Sequence, residues 1–395
     1  MKYLKHTIAA LTASAVLLSG CAATTLAANQ SPSVTTTTTA TTTTTTAALA
    51  AGDSPATVDW SSLPTTQVTL TDAGLTITEA GTYVLTGSTT GQVIVNTDGN
   101  VRLVLSNATI ASSVGAAIQV DNAEQTVLEL ADGTTNTVSD ASTRADEEID
   151  ATIYSSDDLV ITGTGTLNVT AHFADGIAGK DDLWIESGTI GVTSADDGIR
   201  GKDSLTISGG TLTVDAAGDG LKSSNDTDLG EGRLTISDGT ITIVSGDDAV
   251  KAEQQLLISG GTLDIQESVE GIEAPVIVID GGKITLNASD DGINASASAL
   301  VTTGLSVTIN GGELAITMGA GDTDAIDSNG DLTINGGTLA ITAQSPFDFD
   351  GTGALNGGTI TVNGQPVTEL TNQMMGGPRG GGAPMGGGPM GGGRQ

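Results

Sequence analysis

The chain has 395 residues and a formal net charge of -34, because Asp and Glu outnumber Lys and Arg by 47 to 13. This balance argues against nucleic acid or an anionic membrane surface as a partner, and it favours cations or a ligand approached through cations. Aromatic residues make up only 2% of the sequence, so few surfaces exist for stacking.

The N-terminus has the pattern of a bacterial targeting segment. A basic start and an apolar stretch too short to span a membrane precede Leu18-Ser19-Gly20-Cys21, which matches a lipoprotein cleavage box. We therefore predict a signal peptide over residues 1–21, lipidation at Cys21 and a lipid-anchored protein on the extracellular face of the cell envelope. The alternative is an ordinary signal peptide with an incidental cysteine.

Two low-complexity regions flank the remaining chain. Residues 22–64 include Thr35 to Thr46, a run of threonines interrupted only by Ala40, and residues 373–395 are rich in Gly, Met and Pro. Neither composition can bury a core, so a disordered tether and a disordered tail are predicted. The folded domain is expected to span residues 65–372.

Inside that domain a pattern recurs about every 22 residues between His172 and Asn294. Each repeat opens with an acidic residue, usually followed by Gly and an apolar residue. The triplets are Asp175-Gly176-Ile177, Asp197-Gly198-Ile199, Asp219-Gly220-Leu221, Asp248-Ala249-Val250, Glu270-Gly271-Ile272 and Asp291-Gly292-Ile293. A fixed period of this size indicates an array of stacked repeats.

The spacing within a repeat predicts β-structure. After the acid come three pairs of apolar or small residues, each pair spaced i, i+2, and the clearest example is Ile199 and Gly201, Leu205 and Ile207, then Leu212 and Val214. This is the period of a strand with one buried face, and Gly, Ser, Asn and Asp separate the pairs as turns require. We predict an all-β, right-handed parallel β-helix with three short strands per repeat of about 22 residues.

Stacked repeats would align the acidic residues in a column with a spacing of about 4.8 Å. Neighbouring carboxylates at that distance repel by roughly 3 kcal/mol at an effective dielectric constant of 20, unless protons or cations neutralise them. Clustered carboxylate oxygens at turns suit Ca²⁺. The predicted calcium ligands are Asp175, Asp196, Asp197, Asp219, Asp247, Asp248, Glu270, Asp290, Asp291 and Asp324. The alternative is that these acids only bond to backbone N–H groups at the corners.

A second acidic column lies six and seven residues after the first, at Asp157 and Asp158, Asp181 and Asp182, and Asp203. Basic residues and one tryptophan lie between or beside the columns. The predicted ligand-binding residues are Lys180, Arg200, Lys202, Lys222, Lys251 and Trp184. Cations flanked by acids could contact the carboxylates of a polymeric substrate, or they could form surface ion pairs of little energetic value.

At these motifs the chain resembles a bacterial family of secreted carbohydrate-binding proteins. The resemblance rests on Thr82-Tyr83-Val84-Leu85-Thr86-Gly87, on the repeated Asp-Gly-Ile-x-x-Lys-Asp-x-Leu-x-Ile pattern, on Val269-Glu270-Gly271-Ile272 and on the Gly/Met/Pro-rich tail. It implies a pectate-lyase-like fold, bound Ca²⁺, affinity for polygalacturonate and cellulose, and binding without established catalysis.

The predicted function is therefore the calcium-dependent recognition of an acidic polysaccharide by a monomeric, lipid-anchored binding protein. Membrane contact is expected only through the lipid. A calcium-dependent polysaccharide lyase with a lysine base is one alternative, because elimination needs a base beside the metal. A structural surface adhesin is the other.

Overall fold

The computed structural model describes residues 54–319 and 323–372. The predictions for Cys21, for the tether before residue 54 and for the tail after residue 372 lie outside these residues. A single 3₁₀ turn at Trp60–Ser62 precedes the first strand. No described helix has the length and apolar character that a membrane span requires.

The described strands form two sheets, one of 22 strands and one of 12. The small sheet contains the strand that opens each repeat: β2 (Leu75–Ile77), β4 (Val93–Asn96), β6 (Ile118–Asn122), β9 (Ala151–Ser155), β12 (Asp175–Gly179), β15 (Ile199–Gly201), β17 (Leu221–Ser223), β19 (Val250–Ala252), β22 (Ile272–Glu273), β25 (Ile293–Ala295), β28 (Ile326–Ser328) and β31 (Asp348–Phe349).

The large sheet contains the remaining strands: β1 (Thr65–Leu70), β3 (Gly81–Thr89), β5 (Val101–Ala111), β7 (Thr126–Leu130), β8 (Thr135–Ser139), β10 (Leu159–Gly163), β11 (Thr166–Thr170), β13 (Asp182–Ile185), β14 (Thr189–Ser194), β16 (Ser204–Ala216), β18 (Arg233–Ser245), β20 (Gln255–Ile258), β21 (Thr262–Glu267), β23 (Val276–Ile279), β24 (Lys283–Ala288), β26 (Ser306–Ile309), β27 (Glu313–Met318), β29 (Asp331–Ile334), β30 (Thr338–Thr342), β32 (Gly353–Leu355), β33 (Thr359–Val362) and β34 (Gln365–Val367). Named strands pair in parallel except β33 and β34, which form an antiparallel hairpin.

The all-β class is confirmed, but the predicted right-handed parallel β-helix with three short strands per repeat is wrong. The second and third strands of the repeats belong to a single sheet, so the described strands form two sheets. In β16 a single 13-residue strand runs through Ser208, Gly209 and Gly210, which were predicted to be a turn. The pairing of β16 with β18 shifts register there, and Gly210 has a φ of +91°. The glycines bend the strand without ending it, because glycine tolerates this conformation.

The core lies between the sheets, in the predicted inward register. Ile199, Leu205, Ile207, Leu212 and Val214 are each no more than 1% exposed. Burial of a side chain of this size stabilises a fold by about 1.5–3 kcal/mol. The same alternation directs the intervening residues of every strand outward, and these outward positions carry the polar groups discussed below.

The glycines that follow Asp175 and Asp197 are closely packed, whereas Ala249 and Ala325 occupy the equivalent buried position after Asp248 and Asp324. A Cβ atom on Gly198 would lie 2.4 Å from the Val214 side chain and 2.5 Å from the carbonyl oxygen of Gly220. Gly176 meets the equivalent pair of atoms one repeat earlier, at 2.3 and 2.5 Å. The acid-Gly-apolar triplet is therefore a packing motif as well as a turn.

Replacing Gly198 with alanine should lower the free energy of unfolding by about 1–3 kcal/mol, because a methyl group must be forced into a filled space. Urea denaturation measures this change. Gly191→Ala is the matched control, since its Cβ would meet only the Asn168 side chain, at 3.4 Å. Equal losses in the two variants would contradict the packing explanation.

Candidate functional site

The first acidic column forms a chain of side-chain-to-backbone hydrogen bonds along one corner of the small sheet. Oδ1 of Asp175 accepts from the N–H of Asp197 at 3.2 Å, and Oδ1 of Asp197 accepts from Asp219 at 3.0 Å. The same contact joins Asp219 to Asp248 at 3.0 Å, and all four residues are buried. Asp175, Asp197 and Asp219 therefore accept hydrogen bonds from backbone N–H groups at the corner, as the alternative interpretation of the sequence proposed.

The second carboxylate oxygen of Asp197, Asp219 and Asp248 contacts a lysine side chain at an outward position of the small sheet. Lys222 Nζ lies 3.0 Å from Asp197 and 2.7 Å from Asp219. Lys251 Nζ contacts Asp248 at 2.6 Å and Glu273 at 2.5 Å. The chain itself supplies the positive charge in this part of the column.

Arg200 performs the same role at the beginning of the column. Its Nε donates to Asp175 at 2.7 Å and its Nη2 to Asp150 at 2.6 Å. The guanidinium lies in a buried position, and two carboxylates use its donors, so Arg200 is poorly placed to meet a ligand.

Burial dominates the protonation behaviour of this column. It raises the pKa of Asp175 to about 7, although Arg200 opposes the shift. Burial, together with the hydrogen bond that protonated Asp248 donates to the Glu273 carboxylate, raises the pKa of Asp248 to about 8. Burial disfavours the charged form of Lys222, but Asp197 and Asp219 outweigh it and raise the pKa of that lysine.

The outward positions beside the C-terminal part of the column hold Asn294 and Asp327, where earlier repeats have Arg200, Lys222 and Lys251. Oδ1 of Asp291 accepts from the N–H of Asp324 at 3.0 Å. Within residues 54–319 and 323–372, neither Asp291 nor Asp327 forms an ion pair with Lys or Arg. Burial and neighbouring carboxylates raise the pKa of Asp291 to about 6 and that of Asp327 to about 7.

Asp327 should make folding stability depend on pH. Its raised pKa means that the folded protein holds a proton that the unfolded chain releases near pH 4, so stability is lost as the pH rises from about 4 to about 7. We expect Asp327→Asn to raise the melting temperature at pH 8 and to leave it nearly unchanged at pH 4. The control is Asp215→Asn, because Asp215 is exposed and is not among the carboxylates that raise the pKa of Asp327. A lower melting temperature of Asp327→Asn at pH 8 would contradict the assignment.

Among residues 54–319 and 323–372, three groups of carboxylates each contribute oxygen atoms that lie within 4.8 Å of one another. Two of them belong to the first column and include cation-bound acids: Asp219 with Asp247 and Asp248, and Asp248 with Glu270 and Glu273. The third group is Asp158, Asp181 and Asp182, at the corner between the small sheet and the large one. We call this third group the corner triad.

The corner triad carries unfavourable charge. Burial first, and then repulsion from Asp181 and Asp182, raise the pKa of Asp158 to about 6. Burial and the nearby Asp203 raise the pKa of Asp181 to about 6 as well. Lys202 Nζ lies 3.7 Å from this Asp203, and the lysine side chain is 35% exposed. From the sequence, these three acids were assigned to the second column and were not predicted to bind metal. The adjacent acid pairs Asp157-Asp158 and Asp181-Asp182, at equivalent positions of successive repeats, could have indicated a metal site.

The remaining predicted residues occupy different environments. Asp196, Asp247 and Asp290 are exposed at the corner. Lys180 Nζ lies 3.2 Å from Asp150 and 5.7 Å from the centre of the Tyr154 ring. Glu270 accepts from the side chain of Asn294 at 3.1 Å, and burial raises its pKa to about 7.

Trp184 is not available as a stacking surface. It is 4% exposed and packs with Val127 and Val160, and Trp60 packs against this cluster. The segment that carries Trp60 is held further by a hydrogen bond of 2.7 Å from the N–H of Ala56 to the side chain of Gln125. This segment belongs to the end of the predicted tether, and here it covers the outward face of the large sheet.

Comparison with known proteins gives a consistent description. A family model described as "Carbohydrate-binding domain-containing protein" matches residues 71–323 and 268–369. A protein of Acetivibrio thermocellus with the same description is 37% identical over 124 residues, which cover 29% of this chain and 43% of that protein. The chain thus matches less than half the length of this relative.

A solved structure is also similar, that of a polysaccharide lyase-like protein from C. thermocellum in a gadolinium derivative. It is 29% identical, with a TM-score of 0.48, and the match covers 55% of this chain and 92% of that one. Because the family model extends over more than half of the chain, this protein belongs to the family of carbohydrate-binding domain-containing proteins.

Proposed function

We propose that the protein binds an acidic polysaccharide, such as polygalacturonate, through calcium held at the corner triad. The observation that carries this proposal is a group of three carboxylates, Asp158, Asp181 and Asp182, in a member of a carbohydrate-binding family. A chain with a net charge of -34 repels a polyanion, so an intervening cation is required.

The donor set of the corner triad fits calcium. Ca²⁺ takes six to eight oxygen ligands and accepts flexible geometry, so three protein carboxylates leave positions for water and for the carboxylates of a ligand. Burial and neighbouring carboxylates raise the pKa values of Asp158 and Asp181, and a bound cation would oppose both effects. When bound, the ion would supply positive charge that the protein and a uronate can share.

The first acidic column fits calcium less well. Its buried acids already contact Arg200, Lys222 and Lys251 at 2.6–3.0 Å. In this proposal those three residues and their acids stabilise the fold. Lys202 is better placed to meet a sugar carboxylate, because its contact with Asp203 is long and its side chain is partly exposed.

We propose binding without cleavage. A lyase would need a neutral lysine to remove a proton, and the pKa values of Lys222 and Lys251 are raised by adjacent carboxylates, which makes both residues weaker candidates. Lys180 and Lys202 are the remaining basic candidates near the corner triad. Release of unsaturated uronides, followed by ultraviolet absorbance during incubation with polygalacturonate, would establish a lyase instead.

A glycan array probed with and without calcium tests the proposed function. We expect signals from uronic-acid polymers that disappear when calcium is chelated. Binding confined to neutral glycans would contradict the acidic ligand, and an array with no signal would favour the adhesin alternative.

We also propose that Cys21 anchors the protein to the cell envelope. Replacement of Cys21 by serine should release the protein from the membrane fraction into the soluble fraction, because the lipid would be the sole membrane contact. Immunoblotting of fractionated cells measures this change. A Cys21→Ser protein that stayed in the membrane fraction would contradict lipidation at this residue.

A further inference from the structure

The outward face of the large sheet carries a row of aligned side chains that begins with apolar residues. Val127, Val160 and Trp184 occupy paired positions of β7, β10 and β13. The same row continues to Thr206 on β16 and Thr235 on β18. Adjacent strands lie about 4.8 Å apart, so these five positions extend over about 19 Å. We call them the outer row.

Residues 54–62, which we call the strap, cover the apolar half of the outer row. The Trp60 ring packs against the three apolar side chains, and each of them is no more than 7% exposed. The backbone of Ala56 exchanges two hydrogen bonds with the side chain of Gln125, at 2.7 and 3.3 Å. The strap therefore occupies a surface that would otherwise be exposed, and exposed apolar surfaces are typical of binding sites.

The strap has the features of a segment that can open. Arg102 lies 5.7 Å from the centre of the Trp60 ring, and among the described residues its buried Nε has no hydrogen-bond partner. Opening would allow water to reach this polar atom. Segments with few buried contacts open at a lower free energy than the core does. The exposed residues of the strap are Ser54, Ala56, Thr57, Asp59, Ser61 and Ser62.

A cleft of about 270 Å³ lies between the strap and the outer row. Pro55 lines it on the strap side, and Trp184, Thr206, Thr235 and Glu186 line it on the sheet side. An aromatic ring beside hydroxyl and carboxylate groups can stack on a sugar ring and bond to its hydroxyls. The volume lies near the lower end of the range of about 300–1,000 Å³ that ligand pockets have. The closed strap thus leaves little room, whereas an open strap would expose the whole row.

We propose that the strap is a displaceable cover over a second carbohydrate-binding surface, and that the open outer row binds an uncharged polysaccharide by stacking on Trp184. The chain belongs to a carbohydrate-binding family, and no Lys or Arg of the described chain lines the cleft. Glu186 and the net charge of -34 would repel a uronate here. This surface lies on the large sheet and is separate from the corner triad.

The strap and a sugar compete for the same ring in this proposal. A covered site binds with an apparent affinity reduced by its open fraction, so a strap open about one-tenth of the time weakens binding about tenfold. Removal of the Trp60 ring should therefore increase binding. A purely structural strap would give the opposite result, because its loss would loosen the sheet without creating a site.

Two substitutions of Trp60 isolate the role of the cover. Trp60→Ala removes the ring, whereas Trp60→Phe retains an aromatic cover, and in both variants Trp184 is the sole tryptophan. We expect red-shifted emission and stronger quenching by acrylamide in Trp60→Ala. Soluble xyloglucan, an uncharged polysaccharide, should bind Trp60→Ala about tenfold or more tightly than Trp60→Phe and should shift its emission back towards the blue.

Trp184→Ala added to Trp60→Ala should remove the gained binding, measured by electrophoresis through a gel that contains xyloglucan. Circular dichroism establishes that the variants are folded. If Trp60→Ala loses β-structure, Gln125→Leu, which removes the hydrogen bonds to Ala56, takes its place and is compared with the unmodified protein.

Equal affinity of Trp60→Ala and Trp60→Phe for xyloglucan would overturn the proposal. So would binding that persists after Trp184 is replaced. Calcium-dependent binding of polygalacturonate should be the same in the two Trp60 variants, so the corner triad is tested independently of the strap.

Discussion

Replacing Arg200 with methionine should destabilise the folded protein by about 3–5 kcal/mol, because it leaves a buried carboxylate without its partner. Asp175 is 3% exposed, and Arg200 Nε donates to it at 2.7 Å. Methionine preserves much of the volume of the arginine stem. The loss of folding stability therefore measures the contribution of the charge and the hydrogen bonds. Chemical denaturation at pH 8 measures it.

The pH dependence of this loss provides a further check. Burial already raises the pKa of Asp175 to about 7 with Arg200 present, and removal of the guanidinium should raise it more. The carboxyl group can then hold a proton at pH 5, so the loss should be smaller at pH 5 than at pH 8. Lys202→Met is the control, because its partly exposed ion pair should contribute less than about 1 kcal/mol. Equal losses in Arg200→Met and Lys202→Met would contradict the role of the buried pair.

Changing the corner triad to asparagine should abolish calcium-dependent binding of polygalacturonate while the protein stays folded. The triple variant Asp158→Asn, Asp181→Asn, Asp182→Asn keeps side chains that can bond to the corner and to Ser204, which contacts Asp182 at 2.6 Å. It removes the charge that would attract the cation and also the repulsion among the carboxylates. Calorimetric titration with calcium should show a large loss of heat at this site.

The control for this experiment removes the same charge elsewhere. Asp238, Asp264 and Asp280 belong to none of the three carboxylate groups, so the corresponding triple asparagine variant should bind calcium and polygalacturonate as the unmodified protein does. If the two triple variants lost binding equally, net charge rather than the corner triad would be responsible. If the corner-triad variant bound as before, the metal would lie elsewhere.

Much of the fold could be predicted because one face of each strand is buried. The alternation of Ile199, Leu205 and Ile207 with polar residues determines which side chains enter the core. The division into sheets could not be predicted in this way. Whether Gly209 and Gly210 end a strand or bend it depends on pairing with the neighbouring repeat, which local residue preferences do not encode.

The site was predictable in part for the same reason. Repetition predicted a column through Asp197, Asp219 and Asp248, and the structure brings these residues together. The alternative that the intervening basic residues form ion pairs holds for Lys222 and Lys251. Repetition alone could not decide between ion pairing and ligand binding, because that choice depends on side-chain direction across repeats. The prediction that calcium binds these acids remains untested.

Trp184 illustrates a limit of repeat-based prediction. Its outward position follows from the strand period, but its burial depends on Trp60, which lies more than a hundred residues earlier and outside the repeats. A periodic sequence pattern predicts the contacts that every repeat makes with its neighbours. It cannot predict the contacts of a non-repeated segment, such as the one that carries Trp60. The same holds for Asp150, which reaches Arg200 and Lys180 from an irregular loop.

The most direct test of the central claim is the binding of polygalacturonate at constant ionic strength, measured in calcium and again with a chelator. We predict that chelation abolishes binding and also lowers stability, by about 2.7 kcal/mol relative to calcium at a hundredfold excess over its Kd. Both effects should return when calcium is restored. Undiminished binding of polygalacturonate in the chelator, with an unchanged melting temperature, would contradict the claim that calcium joins this protein to its ligand.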